Sequence, residues 1–426
     1  MGEFVGPQRI LLACGECLAE NDMQYAVGVI WGIYEKTDIR RGGEGVIYLD
    51  NAATTWPKPE GTITAIENCI RQAGANPGRG GHKMSLAAGR IIFATREAIA
   101  RLFNVDNPAR IVFAGNATES LNLALKGIIK PGDHVITSSM EHNSVARPLF
   151  MMQKRGVEVT EVKCSPTGTL DPNDIAKAIK ANTKAVAVLH ASNVTGTIMP
   201  VEDIGQTTKA NGILFIVDAA QTAGILEIDV NRMNIDMLAF TGHKSLYGPQ
   251  GTGGLFIRAG LMPEPMFEGG TGSKSESLAQ PEDMPDKYES GTPNTPGIAG
   301  LGAGLKFIRD KGLEVIIKHE QALLTRFLDG LKQIAKIEIY GSADPSQQVP
   351  VVSVNVKGQD SSEVAFIMDR AFDIACRSGL HCSPSAHRTI GTLDRGTVRF
   401  SFSIFNTFAE IDSTLEALER TVAELT

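Results

Sequence analysis

From Val46 onward, short apolar runs recur at residues 110–115, 134–139, 185–192, 213–220, 236–242 and 253–259. Most are separated by helix-length mixtures of polar and apolar residues. That alternation predicts an α/β fold built on a mostly parallel sheet with helices on both faces. In such sheets ligands collect at the carboxyl ends of the strands, and here those ends carry the unusual polar residues. After residue 297 the texture changes to a long helical stretch through about residue 335. It is followed by PVVSVNV (350–356), SSEVAFIMDRAF (361–372) and GTVRFSFSIFNT (396–407). A closing helix carries Ile411, Leu415, Leu418, Val422 and Leu425, spaced as one face of an amphipathic helix. This second texture predicts a smaller C-terminal α/β domain over 301–426, beside a large domain over 61–300.

Composition narrows the class. A chain of 426 residues exceeds one compact core and suggests two or three domains. With 42 % apolar and 21 % charged residues and a formal charge of −7, it reads as a soluble globular protein. No basic excess invites nucleic acid or an anionic membrane. The segment 23–34 is apolar but too short to span a bilayer, and it lacks the flanks of a signal peptide. Six cysteines are too sparse for a disulfide scaffold, which points to a reducing, cytoplasmic setting. Residues 1–45 differ from the rest and end in the glycine-rich linker RRGGEG, so they are expected to be an appendage. Its Cys14 and Cys17 have no second pair nearby, and ordinary cysteines are a simpler reading than a metal site.

The strand ends raise a chemical question. Lys244 follows the apolar run ending at Phe240 almost directly, where an ammonium resists losing its hydration. Asp218 closes ILFIVD, and its plainest role is to cap a helix starting at Ala219, a role that Gln221 three residues on would reinforce. Yet a pyridine-ring cofactor needs an acid to keep its nitrogen protonated and a lysine to form a Schiff base with its aldehyde. Pyridoxal phosphate needs both, and Asp218 and Lys244 lie on successive strand ends. FAGNATESLN (113–122) offers a strand, a turn and a helix start, where the N–H groups around Ala117 and the Thr118 hydroxyl make an anion site. His142 in SSMEHNS could lay its ring on a flat cofactor, although a surface histidine is the default. Asn193 in HASNVTG stands in a similar position. One polar strand end is ordinary; five together make a site.

YLDNAATT, GNATESLNLAL, EHNS, SNVTGT, VDAAQ, TGHKSLYGPQGTGGL, ESGTPNT, RSGLHCSPSAH and VRFSFSIFNT follow one another through nearly all of 46–426. This ordered set resembles the class V, fold-type I pyridoxal-phosphate enzymes, and within them the cysteine desulfurase and selenocysteine lyase group. The resemblance implies that Lys244 holds the cofactor and shuttles the proton, and that Asp218 pairs with the pyridine nitrogen. Gln221 is implied at the ring hydroxyl and His142 on the ring face. Ala117, Thr118, Thr241 and His243 would hold the phosphate, joined by Thr292 from a partner subunit of a homodimer. Asn193, implied at the cofactor as well, would meet the substrate with Arg399 and Ala52, Arg399 by a two-pronged pairing with its carboxylate. The segment 46–60 would pack at the site beside the small domain.

The segment 376–387 decides between reactions of the family. Desulfuration needs a nucleophile that takes sulfur from bound cysteine, and a thiolate suits it. Cys382 lies in a small-residue loop after Arg377, Gly379 and His381, surroundings that favour the thiolate. Cys376 reads as core, and Cys69 and Cys164 have no charged setting. The resemblance therefore implies conversion of L-cysteine to alanine with a persulfide on Cys382, passed on to a sulfur-acceptor protein or thiol. L-selenocysteine would follow the same route. A transaminase or C–S lyase with an idle Cys382 is the rival within the family. The loop-like, acidic segment 268–294 is shorter than the insertion of the branch that serves a dedicated acceptor. A dinucleotide site at GLGAGLKF (300–307) is a poor reading, because no strand precedes it.

Overall fold

Each of the six apolar runs holds a strand. The computed structural model describes residues 45–78 and 80–425; Cys14, Cys17 and nearly all of the expected appendage lie outside the described residues. In chain order the strands are Ile47–Tyr48 (β1), Ile111–Ala114 (β2), His134–Ser138 (β3), Glu158–Val162 (β4), Thr183–Leu189 (β5), Leu214–Asp218 (β6), Met237–Thr241 (β7) and Gly253–Ile257 (β8). They are followed by Ile337–Tyr340 (β9), Val351–Val356 (β10), Ile374–Ala375 (β11), Arg377–Gly379 (β12) and Thr397–Ser401 (β13).

Seven strands form the central sheet in the order β2-β8-β7-β6-β5-β3-β4. β4, β3, β5, β6 and β7 run parallel, and β8 is antiparallel to both of its neighbours. The fold is thus α/β with a mostly parallel sheet. β4 was not among the apolar runs because it is an edge strand whose side chains are largely exposed or half-buried. Alternate residues of the sheet feed two cores, as a strand's period of two requires. Val186, Val188, Phe215, Val217, Leu238 and Phe240 enter one; Val135, Ala185, Ala187, Ile216, Met237 and Ala239 enter the other. Helices Ala117–Ile128 and Asn143–Gln153 cover the second face, through residues such as Leu121, Leu125, Val145 and Leu149.

The C-terminal texture gives a four-stranded antiparallel sheet, β12-β13-β10-β9. Its core joins Val352, Val354, Val398 and Phe400 to Leu324, Phe327 and Leu328 of helix Leu313–Leu331 and to Ile411, Leu418 and Val422 of helix Phe408–Leu425. Leu49 also enters this core, brought there by the pairing of β1 with β11. The long helical stretch after residue 297 is two helices, Thr295–Lys311 and Leu313–Leu331, parted by Gly312 at φ 88°. The first crosses residue 300 and buries Leu301, Leu305 and Ile308 in the core of the large sheet.

The glycines of GLGAGLKF lie inside helix Thr295–Lys311 and act in packing. A Cβ at Gly304 would stand 2.1 Å from the Leu246 carbonyl oxygen, so the helix lies directly against the loop that bears Lys244. No described helix is long and apolar enough to cross a membrane.

Candidate active site

The carboxyl ends of β3, β5, β6 and β7 open on one cavity of about 220 Å³. Its lining includes Ala52, Ala117, Thr118, His142, Asn193, Asp218, Gln221, Thr241, His243, Lys244, Cys382 and Arg399. Twelve of the thirteen residues proposed from sequence therefore meet in space. Thr292 does not. It lies near Phe113, Gly251 and Glu289 in another depression, where its hydroxyl accepts a hydrogen bond from Asn76 Nδ2 at 3.2 Å.

Asp218 ends β6 in register with Leu189 and Ala239. Its Oδ1 accepts the Ala220 N–H at 2.9 Å, but the residues after it form turns rather than the helix expected from Ala219. Burial pushes its pKa up, against the Ala220 N–H, the Lys244 ammonium and the Ser144 hydroxyl, which favour the carboxylate. Burial likewise brings Lys244 down to about 8, with Asp218 opposing and Arg399 and Arg377 adding to the fall. Two groups of opposite charge thus share a dry site in which neither holds its ordinary proton affinity.

His142 caps helix Asn143–Gln153. Its Nδ1 accepts the Ser144 N–H at 3.1 Å, which leaves the proton of the neutral ring on Nε2. Burial, then the charges of Lys244, Arg377, Arg147 and Arg399, lower its pKa to about 4. The ring is therefore neutral at pH 7, and it is not a surface histidine. His243 is also brought to about 4, chiefly by burial, and its Nδ1 is buried with no partner among the described residues. At the head of helix Ala117–Ile128, Asn116 accepts the Glu119 N–H at 3.0 Å. The N–H groups of Ala117 and Thr118, in the first turn, have no partner within the helix, and both residues line the cavity.

Arg399 is 1 % exposed. Its Nη2 donates to Asp50 Oδ1 at 2.6 Å and its Nη1 to the Asn193 carbonyl at 3.0 Å. Its Nε is buried without a partner among the described residues. Gln221 Nε2 donates to the Ala52 carbonyl at 3.1 Å, and the Ala52 N–H donates to Ser401 Oγ at 2.8 Å. The segment around Asp50 and Ala52 therefore reaches the site from the far end of the sequence.

Among the four described cysteines, Cys382 alone is exposed and alone lines the cavity. Burial raises Cys376 to about 12 and Cys164 to about 11, and it raises Cys69 as well.

Sequence reasoning gave no role to Asp50, Asn116, Glu141 or Ser144. Asp50 could have been found as the acid inside YLDNAATT, but its tie to an arginine 349 residues away needs the fold. Glu141, inside EHNS, is fully buried and pushed up to about 8 by that burial, although Ser138 and the Leu189 N–H favour its charge.

The comparisons agree with this architecture. The profile of the class-V aminotransferase family matches residues 47–414, and the chain belongs to that family. A probable cysteine desulfurase of Methanothermobacter thermautotrophicus is 36 % identical over 379 residues, covering 88 % of this chain and 94 % of that protein. The cysteine desulfurase of Serratia proteamaculans is 33 % identical over 391 residues, covering 89 % and 94 %. Among solved structures, the apo cysteine desulfurase of Thermococcus onnurineus superposes with a TM-score of 0.84 at 36 % identity, covering 89 % of this chain and 95 % of that one. The Escherichia coli cysteine desulfurase CsdA does so at 0.79 and 27 % identity, covering 90 % and 96 %.

Proposed function

We propose that the protein is a pyridoxal-phosphate-dependent cysteine desulfurase, which converts L-cysteine to L-alanine and retains the sulfur as a persulfide on Cys382. The observation that carries this reading is the placement of one exposed thiol on the same cavity as Lys244, Asp218 and Arg399. Without such a thiol the cavity would suit any reaction of the family.

The residues fit the cofactor. A buried acid faces a buried amine of lowered proton affinity, and a neutral imidazole stands beside them. A helix start and the His243 Nδ1, without a partner among the described residues, border the same space. Lys244 is assigned as the covalent tether and Asp218 as partner of the ring nitrogen. Gln221 is assigned to the ring hydroxyl and His142 to the ring face. Ala117, Thr118, Thr241 and His243 are assigned to the phosphate, with Thr292 supplied by a second subunit. When bound, pyridoxal phosphate supplies an electron sink for the pair released at the substrate's Cα.

The protein's own groups do the rest. Arg399 binds the substrate carboxylate. Lys244, with a pKa near 8, is partly neutral at working pH and can take the Cα proton. The Ala220 N–H and the Ser144 hydroxyl favour the Asp218 carboxylate against the effect of burial. Cys382 sulfur attacks the substrate sulfur: an S–S bond forms, the Cβ–S bond breaks, and its electron pair stays on carbon, which gains a proton to become the methyl group of alanine. A sulfur-acceptor protein or thiol then removes the outer sulfur.

The test is to incubate the holoenzyme with ³⁵S-labelled L-cysteine and map the label by mass spectrometry. Label is expected on Cys382 with one alanine released, and Cys382→Ser should abolish both. If the serine variant releases alanine at the wild-type rate, Cys382 is idle and another reaction of the family applies.

A further inference from the structure

Cys382 is held in a conformation that needs support. His381 and Cys382 are consecutive non-glycine residues with φ of 49° and 59°, in the left-handed region that L side chains avoid. Such a pair persists only where its surroundings over-determine it. Here they do. The Asn143 N–H donates to the Cys382 carbonyl at 2.9 Å. Thr389, which ends helix Pro384–Thr389 just after the loop, donates to the Ser139 carbonyl at 2.9 Å. Between these anchors, Asn193 Nδ2 donates to the His381 carbonyl at 2.7 Å and Asn193 Oδ1 accepts the Ser383 hydroxyl at 2.7 Å.

Each end of the Asn193 amide thus bonds to a residue flanking Cys382, and each keeps a further bonding position. All three partners are buried, Asn193 at 7 %, His381 at 3 % and Ser383 at 0 % exposure, so losing either bond would leave a polar group unsatisfied. The Asn193 backbone carbonyl meanwhile accepts from Arg399 Nη1. We propose that the Asn193 side chain clamps the Cys382 loop through Ser383 and His381 and so positions the attacking sulfur. One residue then links the carboxylate seat, through its backbone, to the seat of the attacking sulfur, through its side chain. This rests on the desulfurase reading, and it adds a second role to the contact with substrate that resemblance implied for Asn193.

The test compares Ser383→Ala, Asn193→Ala and the double variant as holoenzymes. Hydrogen exchange of the peptide spanning residues 380–384 is read without substrate, and kcat and KM for L-cysteine are read separately. Loss of the clamp should speed exchange of that peptide about three- to tenfold in each single variant, as expected for one or two hydrogen bonds. In Ser383→Ala it should lower kcat with KM within about twofold, and the double variant should resemble Asn193→Ala because the two groups share one interaction. Wild-type exchange of that peptide in Ser383→Ala, or an unchanged kcat in that variant, would overturn the proposal. Ser383→Ala removes one oxygen and decides the matter alone if Asn193→Ala does not fold. Failure of the desulfurase reading shows differently: wild-type protein forms no persulfide, while the exchange measurement still reports on the clamp.

Discussion

At the scale of single residues, Lys244 costs the cofactor-free protein stability. Its folded pKa of about 8 lies below the ordinary lysine value of 10.5, so the unfolded chain binds the proton more tightly. Stability then rises with pH between those two values. Below pH 8 the full penalty applies, and Lys244→Met should relieve it. We expect the variant to be more stable than the cofactor-free wild type by about 1–3 kcal/mol at pH 7, with the gain shrinking toward pH 10.5. Urea midpoints at the two pH values check this, and a variant less stable at pH 7 contradicts it. The same desolvation makes the amine useful as a base, so stability is given up for chemistry at one atom.

At the scale of elements, the site depends on close approach between a helix and a loop. Gly304 sits mid-helix with room for no Cβ beside Leu246, two residues from Lys244. Gly304→Ala should force the helix and the lysine loop apart and destabilise the protein by about 1–3 kcal/mol, as overpacking does. An unchanged denaturation midpoint would show that the contact yields freely. Gly253 plays a related part on the other side: a Cβ there would meet Asn116 Cα at 2.9 Å, so its absence lets β8 lie beside the helix start that borders the cavity. The second contact explains one glycine of the glycine-rich sequence that follows the lysine.

At the scale of the whole molecule, six of the eight histidines are lowered, with burial the first cause of each: His134, His142, His190, His243, His381 and His387. Their folded pKa values lie below the ordinary 6.5, so the unfolded chain takes up protons first as pH falls. Stability is present above pH 6.5 and lost toward pH 4, at up to about 1.4 kcal/mol per pH unit for each group. Glu141 and Glu320, both raised to about 8, and Asp218 and Asp236, also raised by burial, act in the opposite sense but are outnumbered. The urea midpoint of the cofactor-free protein should therefore fall between pH 6.5 and 5, and a flat profile would contradict this. The position of Thr292 away from its own chain's cavity gives a test of assembly. Inactive Lys244→Ala and Thr292→Val subunits, unfolded together and refolded, should regain activity through one intact site per mixed dimer. No recovery in a verified mixed dimer would exclude a shared phosphate pocket.

The sequence by itself determined the strands, because apolar runs long enough to be buried must pair in a sheet, and it determined the polar residues at their ends. Asp218, Lys244, Asn193 and Cys382 could all be named in advance. Their environments could not be, since burial depends on what packs from a distance: His142 reads as a surface residue until Arg377 and Arg399 arrive from the C-terminal sheet. The break at Gly312 and the edge strand β4 were hidden by weak or polar local patterns. Only the tertiary structure decided that Asp50 meets Arg399 and that the Asn193 amide grips the loop of Cys382. Those contacts join residues hundreds of positions apart, and no local pattern of side chains encodes the distance between them.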